Sequence, residues 1–438
     1  MNTTVEQKLG RLIAFPTIAG TVDYPEDPAA FEGCREAIHT MYPAVAGTCE
    51  RHVIFGRGLV YRWQGKAKDR PWVMMAHYDV VPAPDEGWER PPFSGDVTEG
   101  FIHGRGAVDT KGTLAAMLQA AEELIQAGFT PAQDIYFCFS GDEETYGPTT
   151  GRIIEWLRER DALPWAVMDE GGQVEAGTVP GFSGYAAMVG VAEKGMAQVQ
   201  LSATGPGGHA SRPPRESQAE ILARALVRLS KNPFQMRIIS PVKEALKELS
   251  QGSAGPYRLI YRWPGLFSPF IKRFARLRSG SIAALFRTTC AVTQLRGSDA
   301  SNVLPVTVTA GLNLRLLPGE SQESAVNYLK EAIRDSRVKV NLITGNDPSP
   351  VSQMEGPAFE RIKKAAGAVW PGVMTLPALM VGATDAYHYC AICPRVYRFS
   401  PLRVSPDIAD TVHAANERLP VKALEEAVAF YKTLFKTP

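Results

Sequence analysis

The stretch VMMAHYDVVPAPDEGW, residues 73–88, begins as an apolar run and is then interrupted by His77, Tyr78 and Asp79. Side chains alternate between the two faces of a strand, so His77 and Asp79 project to the same face. Two interpretations are open. The pair is either a core histidine that is hydrogen-bonded to an aspartate, or a metal-binding imidazole whose tautomer a carboxylate fixes. The rest of the sequence must distinguish them.

The composition is that of an ordinary globular protein, with 438 residues, 45% of them hydrophobic and 21% charged. This length allows two or three domains. The 47 lysines and arginines nearly balance the 46 aspartates and glutamates, so the net charge favours neither nucleic acid nor an anionic membrane as a partner. We therefore predict no nucleic-acid partner.

The N-terminus MNTTVEQKLGRLIAFPTIAG has no basic segment followed by a long apolar one, and no later stretch approaches the roughly 18 apolar residues of a spanning helix. Six cysteines in a chain of this length form no disulfide framework, which suits a reducing compartment. We interpret the single pair in CAIC, residues 390–393, as structural. These features predict a cytoplasmic protein.

Helix-like and strand-like segments alternate over the first 186 residues and again from residue 347, which predicts one discontinuous α/β domain, 1–186 and 347–438. Ligands of such sheets bind beyond the carboxyl ends of the strands. Residues 187–346 follow the order βαββαβ of the ferredoxin-like unit, with GVAEKGMAQVQLSATG, residues 190–205, as the first strand. We predict that this second domain is inserted into the first.

The inserted domain carries an insertion at about 231–287, and its part 251–287 is basic and aromatic without any acidic residue. The basic residues are Arg258, Arg262, Lys272, Arg273, Arg276, Arg278 and Arg287. A solvated helical hairpin is the favoured interpretation. Contact with an anionic membrane and a cover over an apolar substrate are the less favoured ones.

Acidic residues follow three further apolar or glycine-rich runs. GRGAVDTKG, residues 104–112, surrounds Asp109 with glycines before a long helix, but it lacks the phosphate-binding pattern GxxxxGK[ST]. FCFSGDEETYG ends a strand in Asp142, Glu143 and Glu144, and WAVMDEGG ends another in Asp169 and Glu170. Adjacent carboxylates raise one another's pKa unless a cation neutralises them. Imidazole and carboxylate ligands together suit a pair of divalent ions, zinc first among them.

These motifs, in chain order, resemble those of the dinuclear zinc aminoacylase/carboxypeptidase family, and most closely its branch of carboxypeptidase S and N-acyl-amino-acid hydrolases. The resemblance rests on HYDVVPAPDEGWERPPFSG, IHGRGAVDTKG, SGDEETYG, MDEGG, GPGGHAS, SNVLP and NLRLLPGE, and then on VGATDAYHY, YRFSPL and VHAANERLP. It implies a catalytic domain with a mixed sheet flanked by helices, an inserted lid or dimerisation domain, and a homodimer formed through that domain.

The resemblance also implies a role for individual residues. His77 would bind one zinc and Asp79 would orient it, Asp109 would bridge both ions, Glu143 would be the general base, and Glu144 and His413 would bind the second zinc. The remaining ligand would be Glu170, with Asp169 as the alternative. The implied cofactor is two Zn2+ ions per subunit, with Co2+ or Mn2+ also possible.

Further residues match family positions at the substrate. His209 in GPGGHAS would donate to the oxyanion and reaches a partner subunit's site in dimeric members. Asn302 and Arg315 would bind the oxyanion or the substrate carboxylate, Gly382 and Thr384 would form a substrate-binding turn, and His388 would line the same pocket. His39, His52 and His103 are predicted to be structural.

The resemblance predicts a metal-dependent amidohydrolase that cleaves N-acyl amino acids or small peptides. A dipeptidase and a desuccinylase-like deacylase are alternatives within the same chemistry. A catalytically silent binding protein that keeps the acids for a structural metal is an alternative from another class.

Overall fold

The computed structural model describes residues 3–21, 23–176, 179–277 and 280–437, so Arg278 of the predicted basic segment lies outside the described residues. The helices are α1 (Val5–Ile13), α2 (Pro28–Met41), α3 (Pro43–Thr48), α4 (Lys111–Gln126), α5 (Thr149–Arg158), α6 (Gln218–Lys231), α7 (Ser240–Gly252), α8 (Pro256–Arg262), α9 (Ser268–Leu277), α10 (Gly280–Ala284), α11 (Gln322–Ile333), α12 (Pro357–Val369), α13 (Pro406–Ala409) and α14 (Val421–Lys436), and Glu143–Thr145 and Asp385–Ala391 are 3-10 helices. The strands are β1 (Glu50–Ile54), β2 (Gly58–Trp63), β3 (Ala67–His77), β4 (Val97–Thr98), β5 (Phe101–His103), β6 (Gln133–Ser140), β7 (Ala166–Ala176), β8 (Tyr185–Glu193), β9 (Gly195–Thr204), β10 (Gly208–His209), β11 (Thr289–Arg296), β12 (Val303–Leu304), β13 (Thr307–Leu316), β14 (Val338–Asn346), β15 (Met374–Met380), β16 (Val396–Arg403) and β17 (Arg418–Pro420).

An eight-stranded mixed sheet in the order β1-β2-β6-β3-β7-β16-β8-β15 forms the larger part of the molecule. Strands β6, β3, β7 and β16 are parallel, so the carboxyl ends of β6, β3 and β7 meet at the same edge. Helices α1, α2, α4, α12 and α14 contribute to the core on one face, and α5 with the second 3-10 helix to the core on the other. The predicted mixed sheet flanked by helices is confirmed.

Strand β3 shows why the opening stretch reads as a continuous apolar run. Trp72 and Met74 belong to the core on one face of the sheet, whereas Val73 and Met75 belong to the core on the other. A parallel strand that is covered on both faces is apolar at successive positions rather than at alternate ones. His77 ends this strand at the edge where the carboxyl ends of its neighbours meet.

A second sheet of four antiparallel strands, in the order β11-β13-β9-β14, has the βαββαβ connectivity that the sequence predicts. Helices α6 and α11 cover one of its faces with a shared apolar core. Both helices begin with a capping box, at Ser217 and Ser321, which satisfies backbone N–H groups of the first turn.

The predicted single strand at residues 190–205 is two strands, because the chain changes sheets at Lys194. Strand β8 lies in the eight-stranded sheet and ends at Glu193, whereas β9 begins the four-stranded sheet at Gly195. The division predicted between residues 186 and 187 therefore falls inside β8.

The chain returns to the larger part of the molecule directly beside the point where it left. The backbone of Glu193 exchanges hydrogen bonds with Ser349, whose Oγ accepts at 2.8 Å and whose N–H donates at 3.1 Å. A Cβ at Gly195 would lie 2.6 Å from the carbonyl oxygen of Asn346, so the two crossings approach too closely for a larger residue.

Helices α7 to α10, which form most of the predicted insertion, pack against the β8/β15 edge of the eight-stranded sheet. Their buried side chains, such as Leu249 and Ile271, share a core with Phe182, Ala186 and Leu376. The insertion thus interrupts the four-stranded unit in sequence but packs on the larger sheet. Within the described chain, none of the helices combines the length and the hydropathy needed to cross a membrane.

Candidate metal centre

His77 is fixed at the carboxyl end of β3 by contacts on both its backbone and its ring. Its Nδ1 lies 3.0 Å from the backbone oxygen of Asp79 and 3.4 Å from Asp79 Oδ1, and its backbone N–H donates to Thr110 Oγ1 at 3.2 Å. The ring is almost completely buried. Because Nδ1 is held in this way, Nε2 faces the neighbouring carboxylates, as expected for an oriented metal ligand.

Asp109 lies between two imidazoles. Its Oδ1 is 3.0 Å from His77 Nε2, and its Oδ2 is 3.1 Å from Nε2 of His413. Its glycine-flanked turn directly precedes α4. One carboxylate thus presents one oxygen to each imidazole, which is the arrangement required to bridge two ions.

Two glutamates complete the group around these imidazoles. Glu144 Oε1 is 3.2 Å from His413 Nε2, and the Glu144 backbone N–H donates to Asp79 Oδ2 at 3.0 Å. Glu170 Oε1 is 3.4 Å from His77 Nε2. The adjacent parallel carboxyl ends of β3, β6 and β7 bring His77, Glu144 and Glu170 together, whereas His413 comes from the segment before β17.

The potential ligand atoms form two overlapping groups, His77 with Asp109 and Glu144, and His77 with Glu143 and Glu170, each spanning no more than 4.8 Å. Glu143, predicted as the base, therefore lies as close to the group as the predicted ligands do. Imidazole nitrogen with carboxylate oxygen is a donor set that suits zinc, and oxygen-rich variants of it suit manganese. The residues present fit a divalent metal pair.

The choice between Asp169 and Glu170 follows from the direction of their side chains. Asp169 is buried and its Oδ2 accepts a hydrogen bond from the backbone N–H of Ala386 at 2.9 Å. Glu170 instead faces His77. Adjacent residues of a strand point to opposite faces, so only one of the two acids can join the metal group.

Several carboxylates lie close together in this cleft, and their mutual repulsion affects their pKa values. Burial, opposed by His77 and reinforced by the neighbouring Glu170, raises the pKa of Glu143 to about 10. Burial, and then Asp109, also raises the pKa of Glu170 well above its usual range. Bound cations would remove this repulsion and keep both carboxylates ionised.

The pKa values of the two imidazoles are raised as well, which for an imidazole favours the charged form. Burial lowers the pKa of His77, but Glu170 and Asp109 outweigh it and hold the pKa well above its ordinary value. Hydrogen bonds to Asp109 and Glu144 raise the pKa of His413 to about 10. The surroundings therefore favour positive charge at both ring nitrogens that face the carboxylates.

Glu417 supports this centre, and the sequence did not single it out. Its fully buried carboxylate accepts backbone hydrogen bonds from Gly106 at 3.0 Å, Val108 at 2.9 Å and Asp109 at 3.2 Å, and it pairs with Arg105 Nη1 at 2.7 Å. It thus ties the turn that carries Asp109 to the segment that carries His413. The signal was present, because Glu417 lies in the quoted motif VHAANERLP.

His209 lies on β10, which pairs with β12 in a separate two-stranded sheet, and Asn302 directly precedes β12. His209 is exposed, and its Nδ1 is 2.8 Å from Ser211 Oγ. The backbone oxygen of Asn302 accepts a hydrogen bond from Ala210, next to His209. In the described ranges, no hydrogen bond or ion pair joins either residue to the metal group.

Within the described ranges, the other predicted substrate residues also form no hydrogen bond or ion pair with the metal group. Arg315 lies on β13, and Gly382 and His388 are exposed. The hydroxyl of Thr384 donates a hydrogen bond to the carboxylate of Glu193 at 3.0 Å. Glu193 in turn forms a fully buried ion pair with Arg398 at 2.5 Å, which was not predicted from the sequence. Its signal was an arginine inside the otherwise buried strand β16.

Comparisons with known proteins agree with this geometry. The model of peptidase family M20/M25/M40 matches residues 73–437. N-fatty-acyl-amino acid synthase/hydrolase PM20D1 of Homo sapiens is 32% identical over 433 residues, covering 97% of this chain and 86% of the relative. The probable carboxypeptidase S-like 2 of Dictyostelium discoideum is 32% identical over 438 residues, covering 98% and 84%. The M20 family metallo-carboxypeptidase Sso-CP2 of Sulfolobus solfataricus superposes with a TM-score of 0.72 at 16% identity, covering 99% of this chain and 98% of that one.

Proposed function

Because the chain belongs to peptidase family M20/M25/M40, as its sequence motifs predicted, we propose that it cleaves the amide bond of N-acyl amino acids or small peptides by metal-dependent hydrolysis. The observation that carries the proposal is the position of Asp109 between His77 and His413, with Glu143, Glu144 and Glu170 around it. It is the combination that a two-metal hydrolase requires.

His77, Asp109, Glu144, Glu170 and His413 would hold the two ions, with zinc as the first candidate and cobalt or manganese as alternatives. When bound, the ions supply Lewis acidity to the amide carbonyl and lower the pKa of water toward about 7. Asp79 fixes the ring of His77 through its backbone oxygen.

Glu143 acts as the general base in this proposal. Its carboxylate takes the proton of the attacking water and returns it to the nitrogen of the leaving amine, so one group serves first as base and then as acid. The ring of His209 donates to the oxyanion, and its exposure on the inserted domain suits delivery to the site of a second subunit. Asn302 and Arg315 bind the substrate carboxylate or oxyanion.

N-acyl amino acids are the first substrate class, because one relative named above is a hydrolase of N-fatty-acyl amino acids. A dipeptidase is the second candidate, since a relative that aligns with 98% of this chain is named a probable carboxypeptidase, and a carboxypeptidase cleaves peptide bonds. Gly382, Thr384 and His388 form the substrate pocket for either substrate class. We place the activity in the cytoplasm, supported by the free state of all six cysteines.

The deciding experiment is metal analysis of the purified protein, followed by a screen of N-acyl amino acids with short and long acyl chains and of dipeptides. We expect two divalent ions per chain, loss of hydrolysis after a strong chelator, and recovery on adding Zn2+, Co2+ or Mn2+. Hydrolysis that survives complete removal of metal would refute the proposal. A metal-loaded protein that cleaves none of these compounds would favour the silent binding protein.

A further inference from the structure

Helices α8 and α9 and the loop between them, residues 256–277, expose large apolar side chains; we call these residues the interfacial surface. Leu259 is 56% exposed, Trp263 55%, Leu266 76%, Phe270 71% and Leu277 75%. Exposed apolar side chains that occur singly are normal, but a continuous set of them marks an interaction site.

Helix α9 has a buried side and an exposed apolar side. Ile271 and Ala275, one turn apart, are buried against the rest of the insertion. Phe270 and Leu277 are separated by seven residues, close to two helical turns, so they project to the same side of the helix. Arg273 and Arg276 are exposed beside them. The helix therefore presents an apolar strip flanked by a basic one.

A basic cavity lies between α7 and α8, and Trp263 of the interfacial surface lines it. It has a volume of about 320 Å³ and is lined by Lys247, Ser250, Gln251, Arg258, Arg262 and Trp263. Lys247 is paired with Glu244 at 2.9 Å. Neither Arg258 nor Arg262 has a carboxylate partner within the part of the chain that the structure describes. Two unpaired guanidinium groups beside an exposed indole suit a phosphate at a membrane interface.

We propose that the interfacial surface binds anionic lipid bilayers as a peripheral contact. Phe270, Leu277 and Leu266 enter the region below the headgroups, Trp263 lies at headgroup level, and the arginines bind lipid phosphates. The absence of acidic residues from 251–287 gives the surface the charge opposite to that of such a bilayer. A two-fold contact between two copies is disfavoured, because it would bring the same cations into opposition.

The first test is sedimentation of the full-length protein with phosphatidylcholine vesicles, with and without phosphatidylserine. We expect binding only when phosphatidylserine is present, weakening as salt is raised. Arg258→Ala with Arg262→Ala should weaken it by about 30-fold, since each cation near an anionic surface contributes a factor of about five. Phe270→Ser with Leu277→Ser should weaken it by roughly tenfold or more. The matched controls, Lys363→Ala with Lys364→Ala and Leu163→Ser, alter exposed residues elsewhere and should bind as wild type.

A second measurement identifies the ligand. Trp263 fluorescence, taken as the difference between wild type and Trp263→Phe, should shift to the blue with anionic vesicles and be quenched by brominated acyl chains. Three results would overturn the proposal: no sedimentation with either vesicle, equal sedimentation of wild type and both double variants, or a response to inorganic phosphate without one to vesicles. Self-association that Phe270→Ser with Leu277→Ser abolishes would assign the surface to a second copy instead. Turnover of a short-chain soluble substrate reports on the catalytic proposal separately.

Discussion

Glu143 occupies the first position of the 3-10 helix that follows β6, and its carboxylate reaches the same group as His77 and Glu170. Its backbone is part of a tight turn, since the N–H of Gly147 donates to the carbonyl of Asp142 at 2.8 Å. The turn directs Glu143 and Glu144 into one cleft although they are adjacent in sequence. Their different neighbours are the basis for assigning them different roles.

We expect Glu143→Gln to retain both metal ions and to lose at least about a hundredfold in turnover, because an amide cannot accept the proton of the attacking water. Turnover and metal content of the purified variant would be measured together. The matched control is Glu144→Gln, which should lose metal as well as activity. Near-normal turnover of Glu143→Gln would exclude it as the base.

We expect His209→Ala to lower turnover by roughly 10²–10³ without loss of metal, as removal of an oxyanion donor does in other enzymes. Steady-state kinetics with metal analysis would test it. His52→Ala, at a histidine on β1 remote from the motif residues, is the control and should leave turnover unchanged. An unchanged rate in His209→Ala would remove this residue from the mechanism.

His77, Asp109, Glu144 and Glu170 were predictable because each ends or follows an apolar strand or lies in a glycine-rich turn, whereas His413 was predicted only from the family resemblance. The choice between Asp169 and Glu170 was less secure, because nothing local shows which face of β7 points to the cleft. The choice depends on the backbone N–H of Ala386, which is far away in the chain and donates a hydrogen bond to Asp169. Glu417 was missed for a related reason, since its partners Arg105 and Gly106 are about 310 residues away in the chain.

At the scale of elements, the carboxylate of Glu417 joins the turn before α4 to the segment before β17. We expect Glu417→Gln to weaken metal binding by roughly 10–100-fold, the usual effect of removing a group that orients ligands. Competition with a metal indicator would measure it. Glu425→Gln, on the exposed side of α14, is the control. Unaltered metal affinity in Glu417→Gln would show that Asp109 and His413 hold their positions without it.

The alternation of helices and strands predicted the elements of both sheets, but not the change of sheet at Lys194. Only Glu193 and Lys194 interrupt the apolar pattern of GVAEKGMAQVQL, and the segment has no proline or turn cluster, so it reads as one strand. Similarly, the sequence revealed the charge of α8 and α9 but not the surface against which the insertion packs. That surface depends on Phe182 and Leu376, which lie far away in the chain.

At the scale of the whole molecule, β11 is an edge of the four-stranded sheet and exposes Val292 and Leu295. An exposed edge strand with apolar side chains is a template for pairing with another chain. We expect a homodimer by light scattering, and we expect Leu295→Lys to shift it to monomer. Val351→Lys, at an exposed residue outside both sheets, is the control. A monomeric wild-type protein at all concentrations would contradict dimerisation through the inserted domain.

The two crossings between the sheets, at Lys194 and at Asn346–Ser349, are hydrogen-bonded to each other through Glu193 and Ser349. Because the insertion packs on the larger sheet, the chain passes between the two units again before α7 and after α10. Four backbone connections therefore restrain the smaller unit. The distance between His209 and Asp109 would report any rotation that these connections allow.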